Sequence, residues 1–191
     1  MMTRSWSDLL VTHLSARVPD SGNQFLINPF GMLFEEMNAL SLARVDEEGR
    51  VLSETGYGIN PAGFMVQSTV HMSKQNIGCV IHTHTQAGVG IATQEDGLLP
   101  LTQHSLAVLS HCGYHDYEGP SLDDNEKSRL INSLGEHKVL ILKNHGLLAA
   151  GTTLEEAFIV MFRLQRACEI QVAAQAGGGK LVIPDAATCR A

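Results

Sequence analysis

Three histidines have the spacing to hold a metal ion. His82 and His84 form H-T-H inside the run CVIHTH (79–84), and His145 lies in N-H-G. On a strand, residues i and i+2 share a face and sit about 7 Å apart along the backbone. The two imidazoles then stand side by side and converge on one ion, while Thr83 points the other way. N-H-G falls between VLILK and LLAAG, which read as a hairpin with a tight turn. Gly146 permits a sharp backbone there, so the ring of His145 is aimed from a loop on a rigid scaffold. Three neutral imidazoles leave a coordination position open, as catalytic sites do and structural ones do not. H-x-H alone also occurs as an ordinary core or surface pair, so the flanking pattern has to decide.

The elements that position these histidines follow from the pattern around them. VTHLSARV and FLINP read as two short strands joined by PDSGNQ. Leu42–Val45 and Val51–Glu54 flank the hairpin-like turn DEEG. Pro61 to Gln75 reads as a helix with proline in its first turn. After the strand 79–84 comes a small-residue helix, AGVGIATQ. Further strands are expected over Leu98–Leu109 and Gly113–Tyr117, and a polar-faced helix over Asp123–Leu134. The last helix is the clearest. Thr153 and Glu156 form a capping box, and Leu154, Phe158, Met161, Leu164 and Cys168 recur at helical spacing. Strands interleaved with helices predict a layered α/β domain with a mixed sheet. One domain is expected over residues 1–179, and the helix-breaking AGGGK opens a short tail, 180–191.

Bulk properties limit the function classes. The chain has 191 residues, 44% apolar and 17% charged, with a formal net charge of −7. This is an ordinary globular composition. With no block of Lys or Arg, a nucleic-acid surface is not expected. No apolar run is long enough to span a bilayer, so no membrane association is expected. The segment MMTRSWSDLLVTHLSARVP lacks the apolar stretch of a signal peptide. The four cysteines form no C-x-x-C pair and no disulfide framework. A cytoplasmic location is the reading.

The run GFMVQSTVHMSKQNIGCVIHTHTQAGVG resembles the segment of class II aldolases and adducin heads that ends in V-V-H-x-H. LILKNHGLLAAGTTLEEAF resembles the same family's L-x-N-H-G-x-x-x-x-G-x-x-x-x-E-A, and HLSARVP with FLINPFG resembles its N-terminal strand pair. YHDYEG and ACEIQVAAQAGG resemble the adducin branch in particular. The likeness runs from about Trp6 to Gly179 on a motif-by-motif reading. It implies a three-layer α/β/α fold with a mixed, mostly antiparallel central sheet. It also implies homotetramers with sites at subunit boundaries, and one divalent ion per chain, zinc first and iron or manganese as alternatives. By motif match the ligands are His82, His84 and His145.

The same resemblance marks departures. The aldolase branch carries a glutamate base before H-x-H, and its matching position is Gly63, which has no side chain to move a proton. Positions that hold a substrate phosphate in sugar-phosphate aldolases are matched by His13, Phe30 with Gly31, and Pro61 with Ala62. Apolar groups largely replace the donors a phosphate dianion needs, so a non-phosphorylated 2-oxo or 2-hydroxy acid fits better. A tyrosine donated from a neighbouring subunit is matched by His104, which can serve as acid or base. Asn144 is placed to fix the turn or to support the ligand beside it. His71, His111 and His115 are further titratable groups, with Asp116 placed to orient His115. Arg17 reads as a buried ion-pair partner.

Three functions accord with this. The first is a metal-dependent carbon–carbon lyase, by retro-aldol cleavage or decarboxylation. The second is a non-haem iron oxygenase on the same fold. The third is an adducin-like binding module without catalysis. Adducins continue into a long tail with a basic end, so actin association is a poor inference from the likeness.

Overall fold

The computed structural model describes residues 6–119 and 124–190. The strand that carries the histidine pair is its centre. Cys79–Thr83, β4, is buried at every residue and is the middle strand of a seven-stranded sheet. The others are β1 (His13–Arg17), β2 (Phe25–Ile27), β3 (Ala43–Val45), β5 (Cys112–His115), β6 (Val139–Leu142) and β7 (Gly146–Gly151). Their spatial order is β3-β2-β1-β4-β7-β6-β5. Every pairing is antiparallel except β5 with β6.

Side-chain alternation along β4 and β7 divides the core in two. Cys79, Ile81, Leu147 and Ala149 pack with Met161, Leu164 and Cys168 of α5 (Leu154–Ala176). Ile91 of α2 (Gln86–Ala92) and Val108 of α3 (Gln103–Leu109) join that layer. On the opposite face, Val80, Leu148 and Ala150 pack with Val66 and Val70 of α1 (Pro61–Ser73). Leu130 and Leu134 of α4 (Asp124–Leu134) complete that cluster. Burying each such Leu or Ile stabilises the fold by about 1.5–3 kcal/mol. The result is the expected α/β/α sandwich with a mixed, mostly antiparallel sheet.

Local signals explain the helix ends. Asn60 caps α1 by accepting from the amides of Ala62 and Gly63. Thr153 caps α5 by accepting from the Glu156 amide at 3.1 Å. The Glu156 carboxylate does not return to Thr153. It accepts from the amide and hydroxyl of Thr152, both at 2.7 Å, so the capping box is only half formed.

The structure corrects several elements. Leu98–Leu109 is not a strand: its second half is α3, capped by a reciprocal pair of Thr102 and Ser105. Val51–Glu54 forms no strand and contributes only a bridge from Val51 to Val45. The hairpin loop is instead held by Asp46, whose carboxylate accepts from the amides of Glu48 and Arg50. β5 begins at Cys112 and ends at His115. Asp123, the expected start of α4, lies outside the described residues. Arg17 makes no ion pair among the described residues. Its guanidinium donates to the carbonyls of Ile77 and His71 and to Asn23, and it covers the Phe25 ring at 5.1 Å. Beyond α5 the described chain has only a 3-10 turn, Thr188–Arg190.

All four cysteines are free thiols. Burial pushes Cys79, Cys112 and Cys168 up to about 12. Among the described residues, no helix is long and apolar enough to cross a membrane.

Candidate metal centre

The three histidines meet where β4 ends and the β6–β7 turn passes over it. His82 is the fourth residue of β4, and His84 follows the end of the strand. His145 lies in the turn before β7. The His82 ring stands edge-on to His84 with centroids 4.4 Å apart, and edge-on to His145 at 4.8 Å. His84 and His145 are stacked at 4.8 Å. One nitrogen from each ring lies within 4.8 Å of the others.

The turn that aims His145 works differently from the sequence expectation. Asn144, not Gly146, takes the left-handed conformation, with φ of 56°. Its amide donates to the Ala92 carbonyl at 2.9 Å, which ties the turn to the end of α2. Gly146 is needed for close approach: a Cβ there would lie 2.4 Å from the Thr83 carbonyl oxygen and 3.0 Å from Cδ2 of His84.

The donor set fits a divalent ion. Nδ1 of His82 is 2.9 Å from the Leu147 carbonyl oxygen. A carbonyl only accepts, so Nδ1 carries the hydrogen and Nε2 presents a bare lone pair. Nδ1 of His84 faces Asp8 at 3.7 Å, and its buried Nε2 has no hydrogen-bond partner among the described residues. An orphaned buried polar atom costs about 1–3 kcal/mol, and an ion is a partner that would satisfy it. Burial, then the neighbouring His84, His145 and His13, holds His82 well below the ordinary histidine value. Burial, followed by His84 and His115, lowers His145 to about 4. Burial also lowers His84, opposed by Asp8. All three are neutral at neutral pH, the state a metal requires of imidazole.

A fourth imidazole stands beside them. His13 is directly opposite His82 in the β1–β4 register. The two rings are parallel within 3° at 6.3 Å. Burial, with smaller effects from His84 and His145, lowers His13 to about 4. These four histidines line a cavity of about 420 Å³ together with Val11, Asn60, Ala62, Gly63, Val66, Tyr117, Gly119 and Asn144. That volume suits a small-molecule ligand.

Of the residues singled out from sequence, the structure brings His13, Ala62, Gly63, His82, His84, Asn144 and His145 to this one cavity. Phe30 is 46% exposed and Gly31 follows it in the loop after β2. Neither lines the cavity. His104 sits on α3, in the α5 layer on the far side of the sheet, and does not reach the cavity of its own chain. His71 is enclosed, with its ring nitrogens 2.8 Å from the Ser15 hydroxyl and 3.2 Å from the Ile77 carbonyl. His111 is exposed at the end of α3. His115 is oriented not by Asp116 but by the Ser133 hydroxyl at 3.0 Å, with Glu126 at 3.6 Å. Asp116 instead pairs with Lys143 at 2.7 Å. Sequence reasoning missed Asp8, Asn60 and Tyr117. The Tyr117 ring stands edge-on to His145 at 6.4 Å. YHDYEG was the available signal for it, and nothing around Asp8 marked its approach to His84.

The profile of the Class II Aldolase and Adducin N-terminal domain matches residues 1–172, and the chain belongs to that family. A Pseudomonas aeruginosa protein provisionally named an aldolase class 2 protein is 51% identical over 93% of this chain and 68% of its own length. Alpha-adducin of Rattus norvegicus is 40% identical over 91% of this chain, which spans only 24% of that protein. The crystal structure of an aldolase II superfamily protein from Pseudomonas syringae superposes with a TM-score of 0.95 at 43% identity. It covers 99% of this chain and 77% of that one. L-fuculose 1-phosphate aldolase from Glaciozyma antarctica superposes with a TM-score of 0.87 at 28% identity, covering 99% and 74%. The fold is that of the class II aldolases.

Proposed function

We propose that this chain is a metal-dependent carbon–carbon lyase acting by retro-aldol cleavage or decarboxylation. Its substrate is a small non-phosphorylated 2-oxo or 2-hydroxy acid. The observation that carries this reading is the convergence of His82, His84 and His145 on the wall of a ligand-sized cavity, with His84 Nε2 unpartnered among the described residues. A divalent ion, zinc foremost, held by these three side chains supplies Lewis-acid stabilisation of negative charge developing on a substrate oxygen.

The chain's own residues do the rest. The Leu147 carbonyl fixes the His82 tautomer, and Asp8 faces the outer nitrogen of His84. Val11, Ala62 and Val66 supply apolar wall, and no Lys or Arg is among the described lining residues. Away from the three-histidine cluster, that wall offers no cation to offset the desolvation of a phosphate dianion. The phosphorylated substrate in the name of the Glaciozyma relative belongs to that protein, which is 28% identical to this chain where the two superpose.

Assembly with further copies, a homotetramer, is part of the same proposal. His104 is then proposed as a catalytic acid or base reaching a neighbour's cavity. A cytoplasmic location belongs to the same proposal.

Turnover of a panel of 4-hydroxy-2-oxo acids and 2-oxo diacids by zinc-loaded protein tests it. Release of a 2-oxo acid with an aldehyde or carbon dioxide is expected, without oxygen uptake. Oxygen uptake by iron-loaded protein would favour an oxygenase instead. A second reading, a non-catalytic binding module, is favoured by the identity to alpha-adducin and by the missing side chain at Gly63. Absence of turnover with zinc, iron and manganese would support it.

A further inference from the structure

His13 is a buried polar side chain that no described residue satisfies. It is 4% exposed, and neither ring nitrogen has a hydrogen-bond partner among the described residues. Such a group costs free energy unless something else occupies the site. β1 aims it at the cavity by placing it opposite His82, and it forms part of the cavity wall. It does not belong to the converging metal cluster, which holds His82, His84 and His145 alone among the described residues.

The position directly over it explains why it can be there. A Cβ on residue 63 would lie 2.2 Å from Nε2, 2.4 Å from Cε1 and 2.5 Å from Cδ2 of His13. Any side chain at 63 would therefore enter the volume that the imidazole fills. The Gly63 amide is also turned away from it, bonded to Asn60 within the helix cap. Glycine is an unfavourable residue inside a helix, by about 1 kcal/mol relative to alanine. Its presence in the first turn of α1 is what leaves room for the ring.

We propose that His13 is a ligand-contacting residue of the cavity. In this role its free ring nitrogens hydrogen-bond a carboxylate or hydroxyl of the acid held beside the three-histidine cluster, and Gly63 serves as the residue that admits it. The proposal rests on the reading of that cluster as a metal centre for small 2-oxo or 2-hydroxy acids. A neutral imidazole carries one N–H donor and one acceptor. It can therefore grip either end of a 2-hydroxy acid, a match that a purely apolar wall would not offer.

Oxalate, a chelating two-carbon diacid, is a suitable probe, with cobalt(II) as the reporting ion. Cobalt affinity and then oxalate affinity are measured by absorption titration on the full chain, for the parent, His13→Ala, Gly63→Ala and the double variant. His13→Ala is expected to keep one cobalt per chain at unchanged affinity and to lose tenfold or more in oxalate affinity. Gly63→Ala displaces the ring and is expected to show the same loss. The double variant is expected to be no worse than His13→Ala alone, because both changes remove one contact. Retention of the parent circular dichroism spectrum separates these effects from misfolding, and His13→Gln is the second variant should His13→Ala not fold. Oxalate affinity within twofold of the parent in the His13 variants overturns the proposal. So does loss of cobalt from them, which would make His13 a metal ligand, and so does a parent that binds cobalt but not oxalate. A parent that fails to bind cobalt overturns the metal-centre reading itself, and this proposal with it.

Discussion

Gly146 and Thr83 approach across β7 and β4 so closely that a methyl group on residue 146 would fall 2.4 Å from the Thr83 carbonyl oxygen. Backbone on one side and the His84 ring on the other leave little to give way. Gly146→Ala is therefore expected to destabilise the fold by about 1–3 kcal/mol, the usual cost of overpacking. Relief of the clash shifts His84 or His145, so zinc affinity falls as well. Denaturant unfolding and zinc titration check both parts. Parent-like values in the two would show that the approach carries no constraint.

Asp8 faces Nδ1 of His84 from outside the cluster at 3.7 Å. A carboxylate there orients the ring and raises its basicity toward a metal. Asp8→Ala is expected to weaken zinc binding about tenfold, the lower end of what such outer partners contribute. Competition against a chelator of known affinity measures it. An unchanged zinc affinity would mean that Asp8 is a bystander.

Acid is expected to destabilise the metal-free protein over a defined window. Burial lowers His13, His71 and His145 from 6.5 to about 4. In the unfolded chain each takes up a proton below about pH 6.5, but in the folded chain only near pH 4. Their contribution to stability is whole above pH 6.5 and is lost as the pH falls towards 4. Each such group adds about 1.4 kcal/mol per pH unit within that window. His71 is remote from the metal cluster and is held by Ser15 and Ile77. His71→Asn is expected to reduce the slope of unfolding free energy against pH by about one such step, whatever its effect on absolute stability. An unaltered slope would show that His71 titrates alike in both states.

The three proposed ligands were legible because two of them obey a local rule. The period of a strand puts His82 and His84 on one side, and an apolar run on each side of N-H-G marks a turn. Long-range register is a different matter. His13 faces His82 only because β1 pairs with β4 in one particular alignment, and no residue near either histidine announces it. The same holds for Asp8 and Tyr117. The error at Leu98–Leu109 has a local cause. A seven-residue helix is too short for its period to outweigh a run of leucines, and the telling signal was the cap at Thr102 and Ser105. His104 was placed by family likeness at a subunit boundary, and within its own chain it lies in the layer away from the cavity. Gly63 could be read as a lost side chain, but only the structure shows that His13 fills the space.

Elemental analysis of gently purified protein, compared with His84→Ala, is the most direct test of the central claim. About one zinc per chain in the parent, lost in the variant while the fold persists, is the expected result. No stoichiometric metal in the parent, or a metal content unaffected by His84→Ala, would contradict it.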